Sequence, residues 1–146
     1  MLLFGTNDYQ DLELDGQGVV EAGSAPWMAE YGRRVGLVMD LLHRQGTTVH
    51  WIGLPPMRSD SFSHAMASLN AIFAQQAASR PWVSFVDLGP TLAGPDGGYT
   101  AYLPGAGGDV LVRQEDGVHL SRAGSDRAAN VVLSDLARRW GIGSSN

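Results

Sequence analysis

An aspartate and a histidine stand three residues apart near the end of the chain, in the segment Asp116-Gly117-Val118-His119. This spacing places both side chains on one side of a single turn. A carboxylate there accepts the Nδ1–H of the imidazole and fixes its tautomer, which leaves Nε2 free to take a proton from a hydroxyl nucleophile. The spacing therefore predicts the base and orienting acid of a Ser-His-Asp arrangement. The structural alternative is a helix-entry turn in which Asp116 caps backbone amides and His119 is a half-buried polar residue.

A second polar segment, Gly5-Thr6-Asn7-Asp8, directly follows a short apolar run at residues 1–4. We interpret the apolar run as the end of a buried strand, so that Asn7 offers a side-chain amide donor at the strand end. One such donor to an oxyanion contributes about 3–4 kcal/mol of transition-state stabilisation. The alternative is a plain turn, because Gly, Asn and Asp are favoured in turns for local steric reasons.

Taken together, the two segments resemble blocks of the SGNH (GDSL-like) hydrolase family. The order matches along essentially the whole chain: G-x-N-D after a strand, two α/β units, then D-G-x-H before a helix with Gly124 near its start. Residues 53–58 (G-L-P-P-M-R) and 116–121 (D-G-V-H-L-S) are similar to an envelope-associated branch of that family.

The resemblance implies a role for four residues. Asn7 would serve as oxyanion-hole donor, with Gly5 shaping its loop, while His119 would be the general base and Asp116 its orienting acid. It also implies a substrate that is an acyl ester of a glycan or of a small molecule, cleaved or transferred without a cofactor. A periplasmic or cell-envelope location is expected for the parent protein on the same ground.

The nucleophile block of that family is absent from this sequence. The chain contains no Gly-Asp-Ser and no G-x-S-x-G, and the serines of Ser59-Asp60-Ser61 and Ser121 are predicted to be helix caps. In the family the serine block lies upstream of G-x-N-D, so residues 1–146 are predicted to be a single partial domain, incomplete at its N-terminal side. It would be inactive alone and would leave residues 1–4 as a hydrophobic edge. The alternative is a catalytically inactive remnant that acts as a binding or interaction module.

The elements that must position these residues alternate between strands and helices. Short apolar runs predict strands, and apolar residues at steps of three and four predict helices. The predicted strands are 49–54 and 82–87, and the predicted helices run from about 26 to Gly46, from a cap at Asp60 or Ser61 to 80, and over 122–140. Ser24 or Ala25 is expected to cap the first helix and Ser121 the last. Residues 8–23 are predicted to be a loop, and residues 89–108 to be irregular with room for one hairpin.

This alternation predicts an α/β fold, a three-layer, flavodoxin-like parallel sheet covered by helices. In such sheets the working site lies outside the carboxyl ends of the strands. We therefore expect Asn7, the 55–58 loop, Asp87 and the Asp116–His119 segment to converge on one edge. Nucleotide binding is disfavoured, because no Gly-rich phosphate loop follows the first strand.

Composition excludes several other classes. The net charge is −5 and all ten basic residues are arginines, mostly scattered, so nucleic acid is not expected as a partner. The absence of cysteine excludes disulfides, thiolate zinc sites and a cysteine nucleophile. No apolar run reaches the roughly 20 residues of a membrane span, no secretory signal is visible, and no histidine pair has metal-ligand spacing.

The sequence allows two interpretations for three aromatic residues and two for one arginine. The rings of Trp27, Tyr99 and Tyr102 could line a sugar-binding cleft or fill the core and loops. Arg58 could hold an anionic group of a substrate or pair with Asp60.

Overall fold

The computed structural model describes residues 1–16, 18–43 and 46–141. The elements, in chain order, are β1 (Leu12–Leu14), β2 (Gly18–Val20), α1 (Ala25–Leu42), β3 (Val49–Ile52), α2 (Asp60–Ala78), β4 (Val83–Val86), α3 (Gly89–Leu92), β5 (Tyr102–Gly105), β6 (Gly108–Leu111) and α4 (Arg122–Trp140). They form two compact units. The first unit consists of Met1–Leu54 and His64–Phe85, and the second of Pro55–Ser63 and the chain from Val86 onward.

Helix α1 begins where its capping signal predicts. The Ser24 hydroxyl accepts a hydrogen bond from the amide of Trp27, and Pro26 occupies the first turn, where its missing N–H costs nothing. The helix ends at Leu42, before the predicted stop at Gly46. Its buried face consists of Trp27, Tyr31, Gly32, Val35, Gly36 and Met39. The neighbouring Met28 is exposed, because the larger Trp27 ring takes the core-facing position.

The centre of the first unit is β3, whose four residues are all buried. On one side β3 pairs with β4, and on the other Leu2 forms a parallel bridge to Trp51. The Leu2 amide donates to the His50 carbonyl at 2.8 Å, and the Ile52 amide donates to the Leu2 carbonyl at 2.9 Å. Residues 1–4 thus supply one bridge rather than the buried strand that we expected. Met1 and Leu3 are exposed, as the prediction of a hydrophobic edge requires.

The prediction of a loop over residues 8–23 is wrong in part, because this segment contains an antiparallel hairpin. In this hairpin β1 pairs with β2, with Leu12 opposite Val20 and Leu14 opposite Gly18. Each strand has only three residues, which is too short for an alternating pattern to stand out in a Gly-rich, acidic sequence.

The second unit contains an antiparallel hairpin, β5–β6, and helix α3 packed against helix α4. The bounds predicted for α4 are confirmed. The Ser121 hydroxyl accepts from the Gly124 amide at 3.1 Å, and Gly141 ends the helix in the left-handed conformation with φ of 62°. A Cβ at Gly124 would collide with the Val112 carbonyl, so this glycine permits the close approach of α4 to the strand end.

The chain is a mixed α/β protein with small parallel and antiparallel sheets. A three-layer, flavodoxin-like arrangement stays a prediction. Over residues 1–16, 18–43 and 46–141, the structure contains no helix that combines the length and the apolar character needed to cross a bilayer.

Candidate active site

The Asp116–His119 segment forms a tight turn in the second unit, just before α4. One carboxylate oxygen of Asp116, Oδ2, lies 2.6 Å from His119 Nδ1. The other, Oδ1, accepts the backbone amides of Val118 at 2.8 Å and His119 at 2.9 Å. Asp116 therefore does what both interpretations of the sequence required, since it caps the turn and also holds the imidazole.

These hydrogen bonds lower the pKa of Asp116 to about 2, with the bond to His119 as the largest cause and the two backbone amides next. The pKa lies below the ordinary carboxyl value of 3.8. The contribution of this carboxylate to stability is therefore fully present above pH 3.8 and is lost as the pH falls through about 2. Asp116 is exposed to solvent, so the charge is held by local geometry rather than by burial.

The imidazole of His119 projects into solvent, with 78% of its side chain exposed. The expectation of a half-buried residue is wrong, because the turn aims only the Nδ1 edge of the ring at protein atoms. Within the part of the chain that the structure describes, Nε2 has no hydrogen-bond partner. A ring oriented through Nδ1 and open at Nε2 can take a proton from an approaching hydroxyl group.

The turn depends on Gly117, whose φ is +75°. A Cβ at this position would lie 2.5 Å from the Cβ of Arg58, in a conformation that L side chains rarely adopt. The Gly117 carbonyl also accepts the Arg58 amide at 3.2 Å. The glycine thus allows the Asp-His turn and the 55–58 loop to pack backbone to backbone.

We expect Gly117→Ala to lower the free energy of unfolding by about 1–3 kcal/mol, from backbone strain plus the clash with Arg58. Urea unfolding followed by circular dichroism measures the change. Gly107→Ala is the matched control, since a Cβ there meets nothing within 4 Å and the backbone needs no positive φ. Equal stability of the two variants would contradict the strain assigned to Gly117.

The other predicted segment lies in the first unit. The Asp8 amide closes a turn on the Gly5 carbonyl at 2.9 Å, and the Tyr31 hydroxyl donates to Asp8 Oδ2 at 2.8 Å. Burial, the bond to Asp8 and its negative charge all raise the pKa of Tyr31, so this phenol stays a donor. Gly5 is buried with φ of +123°, and a Cβ would approach the Phe73 ring at 3.1 Å. The loop is therefore fixed on both sides of Asn7.

The side-chain amide of Asn7 is exposed and, among the described residues, makes no hydrogen bond. The backbone carbonyl of Asn7 accepts a hydrogen bond from Gln10 Nε2 at 2.5 Å. The backbone is therefore held, while the side-chain amide of Asn7 stays available as a donor. Asn7 borders a cavity of about 410 Å³ in the first unit. The walls combine polar groups with the apolar side chains of Phe4, Leu12, Val35 and Val38.

The structure brings Asp116 and His119 into contact, whereas Gly5 and Asn7 belong to the other unit. The convergence of the two pairs on one sheet edge stays a prediction.

Ser59 and Ser121 act as helix caps, as predicted, whereas Ser61 lies inside α2 with its Oγ 3.0 Å from Ser59 Oγ. Ser121 Oγ donates to the Leu111 carbonyl at 2.6 Å while it caps α4. Ser59 Oγ accepts the Phe62 amide at 3.4 Å at the start of α2. Each hydroxyl is committed to a structural bond, so neither is placed as a nucleophile within the chain.

Sequence reasoning missed Arg113, which is fully buried beneath the turn. Its position in the run V-L-V-R-Q-E-D gives no local signal, because an arginine three residues before an aspartate is ordinarily solvated. It also missed Asn70, whose side chain on α2 bonds both the amide and the carbonyl of Leu54 and so fixes the end of the β3 segment.

The structure decides between the two interpretations that the sequence left open for Trp27 and for Arg58. Trp27 is fully buried and belongs to the core. Arg58 does not pair with Asp60; its guanidinium donates to the Glu115 carbonyl at 2.6 Å and to the Tyr99 hydroxyl at 3.3 Å. Over residues 1–16, 18–43 and 46–141, no group of three or more His, Asp or Glu side chains is arranged to hold a metal ion.

The fold and the Asp-His turn define a mixed α/β protein with an imidazole oriented by a carboxylate at a helix entry. The DUF459 family, described as a protein of unknown function, matches residues 1–135, and the chain belongs to that family. None of the curated proteins matches it.

A solved structure from Streptococcus pneumonia, provisionally described as a platelet activating factor, is similar in fold, with a TM-score of 0.62 and 18% sequence identity. The match covers 92% of this chain and 57% of that one, so the chain spans a little over half the length of that protein. At this identity the likeness concerns the fold alone.

Proposed function

We propose that this chain carries the His-Asp part of a Ser-His-Asp triad in an ester hydrolase or acyl-ester transferase of the SGNH class. The observation that carries the proposal is the 2.6 Å contact between Asp116 Oδ2 and His119 Nδ1, combined with the exposure of the imidazole. His119 is the general base, Asp116 orients it, Asn7 donates to the oxyanion, and Gly5 shapes the Asn7 loop.

In the proposed reaction, a serine hydroxyl attacks the ester carbonyl carbon and gives its proton to His119 Nε2. The carboxylate of Asp116 stabilises the imidazolium, and the Asn7 amide donates to the oxyanion of the tetrahedral intermediate. Collapse of the intermediate expels the alcohol, which takes the proton from His119. Water, or an acceptor alcohol for a transferase, then repeats these steps on the acyl-enzyme with the same base.

The serine of this mechanism comes from a Gly-Asp-Ser block in a longer protein. Two observations support this part of the proposal: Ser59 and Ser121 are committed to helix caps, and the chain spans little over half of its structural relative. We accordingly treat residues 1–146 as one partial domain of a three-layer, flavodoxin-like fold.

Membership of DUF459, a family associated with SGNH-like hydrolases, supports the choice of class. The proposed substrate is an acyl ester of a glycan or of a small molecule, in the periplasm or cell envelope.

The test compares the 146-residue chain with a version extended upstream in its reading frame, using hydrolysis of p-nitrophenyl acetate. We expect activity in the extended protein only, and loss of that activity when the serine of the Gly-Asp-Ser block is replaced by alanine. Activity of the 146-residue chain that survives His119→Ala would contradict the triad. An upstream frame without any Gly-Asp-Ser block would favour the alternative of an inactive remnant that acts as a binding module.

In the extended protein, Asn7→Ala should lower kcat by about 10²–10³-fold with little change in KM, because the donor acts on charge that develops only in the transition state. Gln10→Ala is the control. It removes a side-chain amide that, in the described part of the chain, bonds only the Asn7 backbone carbonyl, and it should cost far less. A change confined to KM in Asn7→Ala would exclude the oxyanion role.

A further inference from the structure

Arg113 is a charged side chain with 0% of its surface exposed, in the second unit. Burial lowers the pKa of its guanidinium, whereas Tyr99 and Asp116 act in the opposite direction. Among the described residues it forms no ion pair with a carboxylate, and its Nε has no hydrogen-bond partner. Burying a guanidinium in this way costs free energy, which its remaining hydrogen bonds have to offset.

Those contacts lead directly to the Asp-His turn. One terminal nitrogen of Arg113 donates to the Val118 carbonyl at 3.0 Å, and the other donates to the Pro56 carbonyl at 2.5 Å. Val118 stands between Gly117 and His119, and its amide is one of those held by the Asp116 carboxylate. The planar fork of the guanidinium therefore ties the middle of the turn to the 55–58 loop, at two carbonyls with fixed directions.

A second arginine holds the same turn from its exposed side. Arg58 donates from its side chain to the Glu115 carbonyl and from its backbone to the Gly117 carbonyl. The guanidinium carbons of Arg58 and Arg113 lie 5.6 and 5.7 Å from the centre of the Tyr99 ring, within the range of cation–π attraction. Tyr99 thus contacts both arginines, and the two arginines together hold the carbonyls of Glu115, Gly117 and Val118.

We propose that Arg113 is a positioning residue, which holds the Val118 carbonyl so that the Asp116 carboxylate meets both the backbone amides and the His119 imidazole. The catalytic consequence rests on the proposed function, but the geometric part does not. Without the hydrogen bond from Arg113, the turn loses the alignment of the Asp116 carboxylate with the His119 imidazole.

The geometric part is tested in the 146-residue chain by carbon NMR titration of Asp116, in Arg113→Met and Arg113→Lys. We expect the pKa of Asp116 to rise from about 2 toward 3.8 in Arg113→Met, because the carboxylate loses its aligned donors. Arg113→Lys keeps the charge but not the fork, so it should give an intermediate value and remains informative if Arg113→Met does not fold. Arg122→Met, at an exposed arginine that begins α4, should leave the titration unchanged.

In the extended protein, Arg113→Lys should lower kcat by about 10²-fold at unchanged KM, the cost of a misaligned catalytic pair. An unshifted Asp116 titration in a folded Arg113→Lys protein, or an undiminished kcat, overturns the positioning role. Shifted titrations in a protein that shows no esterase activity keep the positioning role and reject the proposed function, so the two failures are distinguishable.

Discussion

Replacing His119 with alanine is expected to reduce ester hydrolysis by the extended protein about 10⁴–10⁶-fold in kcat, the range seen when a triad base is removed. The expectation follows from the open Nε2 of an imidazole whose Nδ1 is held by the Asp116 carboxylate. The loss should lie in kcat rather than in KM, since the base contacts the proton that is transferred in the transition state and not the bound ester. Pre-steady-state measurements with p-nitrophenyl acetate in excess would then show no acylation burst.

His64→Ala provides the matched control, because His64 is an exposed histidine on α2 and its contact to Ser68 is made through the backbone carbonyl. Its kcat should equal that of the unaltered protein. If His119→Ala retained more than a tenth of the activity while His64→Ala retained all of it, His119 would not be the base.

Asp116→Asn is expected to lower kcat about 10⁴-fold while leaving the fold intact. Asparagine still has one oxygen to accept the amides of Val118 and His119, so the cap of the turn survives. It has no charge to stabilise the imidazolium, and its amide nitrogen facing Nδ1 would favour the wrong tautomer. The pKa of about 2 keeps Asp116 ionised over the whole pH range of an ester assay, so the defect should persist at every pH measured.

Asp109→Asn is a suitable comparison, because Asp109 is an exposed carboxylate on β6 that pairs only through its backbone with Pro104. It has the same change of charge and should have normal kcat. A pH profile in which Asp116→Asn regained activity at high pH would argue that Asp116 has only a structural role.

The helices could be predicted because their signals are local. Ser24 with Pro26 predicts the start of α1, and Ser121 with Gly141 predicts both ends of α4. The same holds for the Asp-His contact, since a spacing of three residues is short enough for one turn to decide the geometry. The spacing alone predicts the contact, whereas the catalytic roles of the pair depend on the resemblance carried by the whole chain.

The predictions that failed concern contacts between segments that are distant in sequence. The single bridge of Leu2 to Trp51 and the burial of Arg113 against Pro56 are set by packing across about 50 residues, for which the sequence has no local mark. The β1–β2 hairpin failed for another reason, since three-residue strands give too short a pattern. The joint placement of Asn7 and His119 is likewise a long-range matter and stays a prediction.

The distribution of aromatic residues between the two units decides which optical signals report on the Asp-His turn. Three of the four tryptophans, Trp27, Trp51 and Trp82, belong to the first unit, and the first two are fully buried. The fourth, Trp140, is 54% exposed at the end of α4, so its emission should change little on unfolding. Tryptophan fluorescence would then follow the first unit and largely miss the second. Unfolding curves from fluorescence and from circular dichroism will coincide only if the two units lose their structure together.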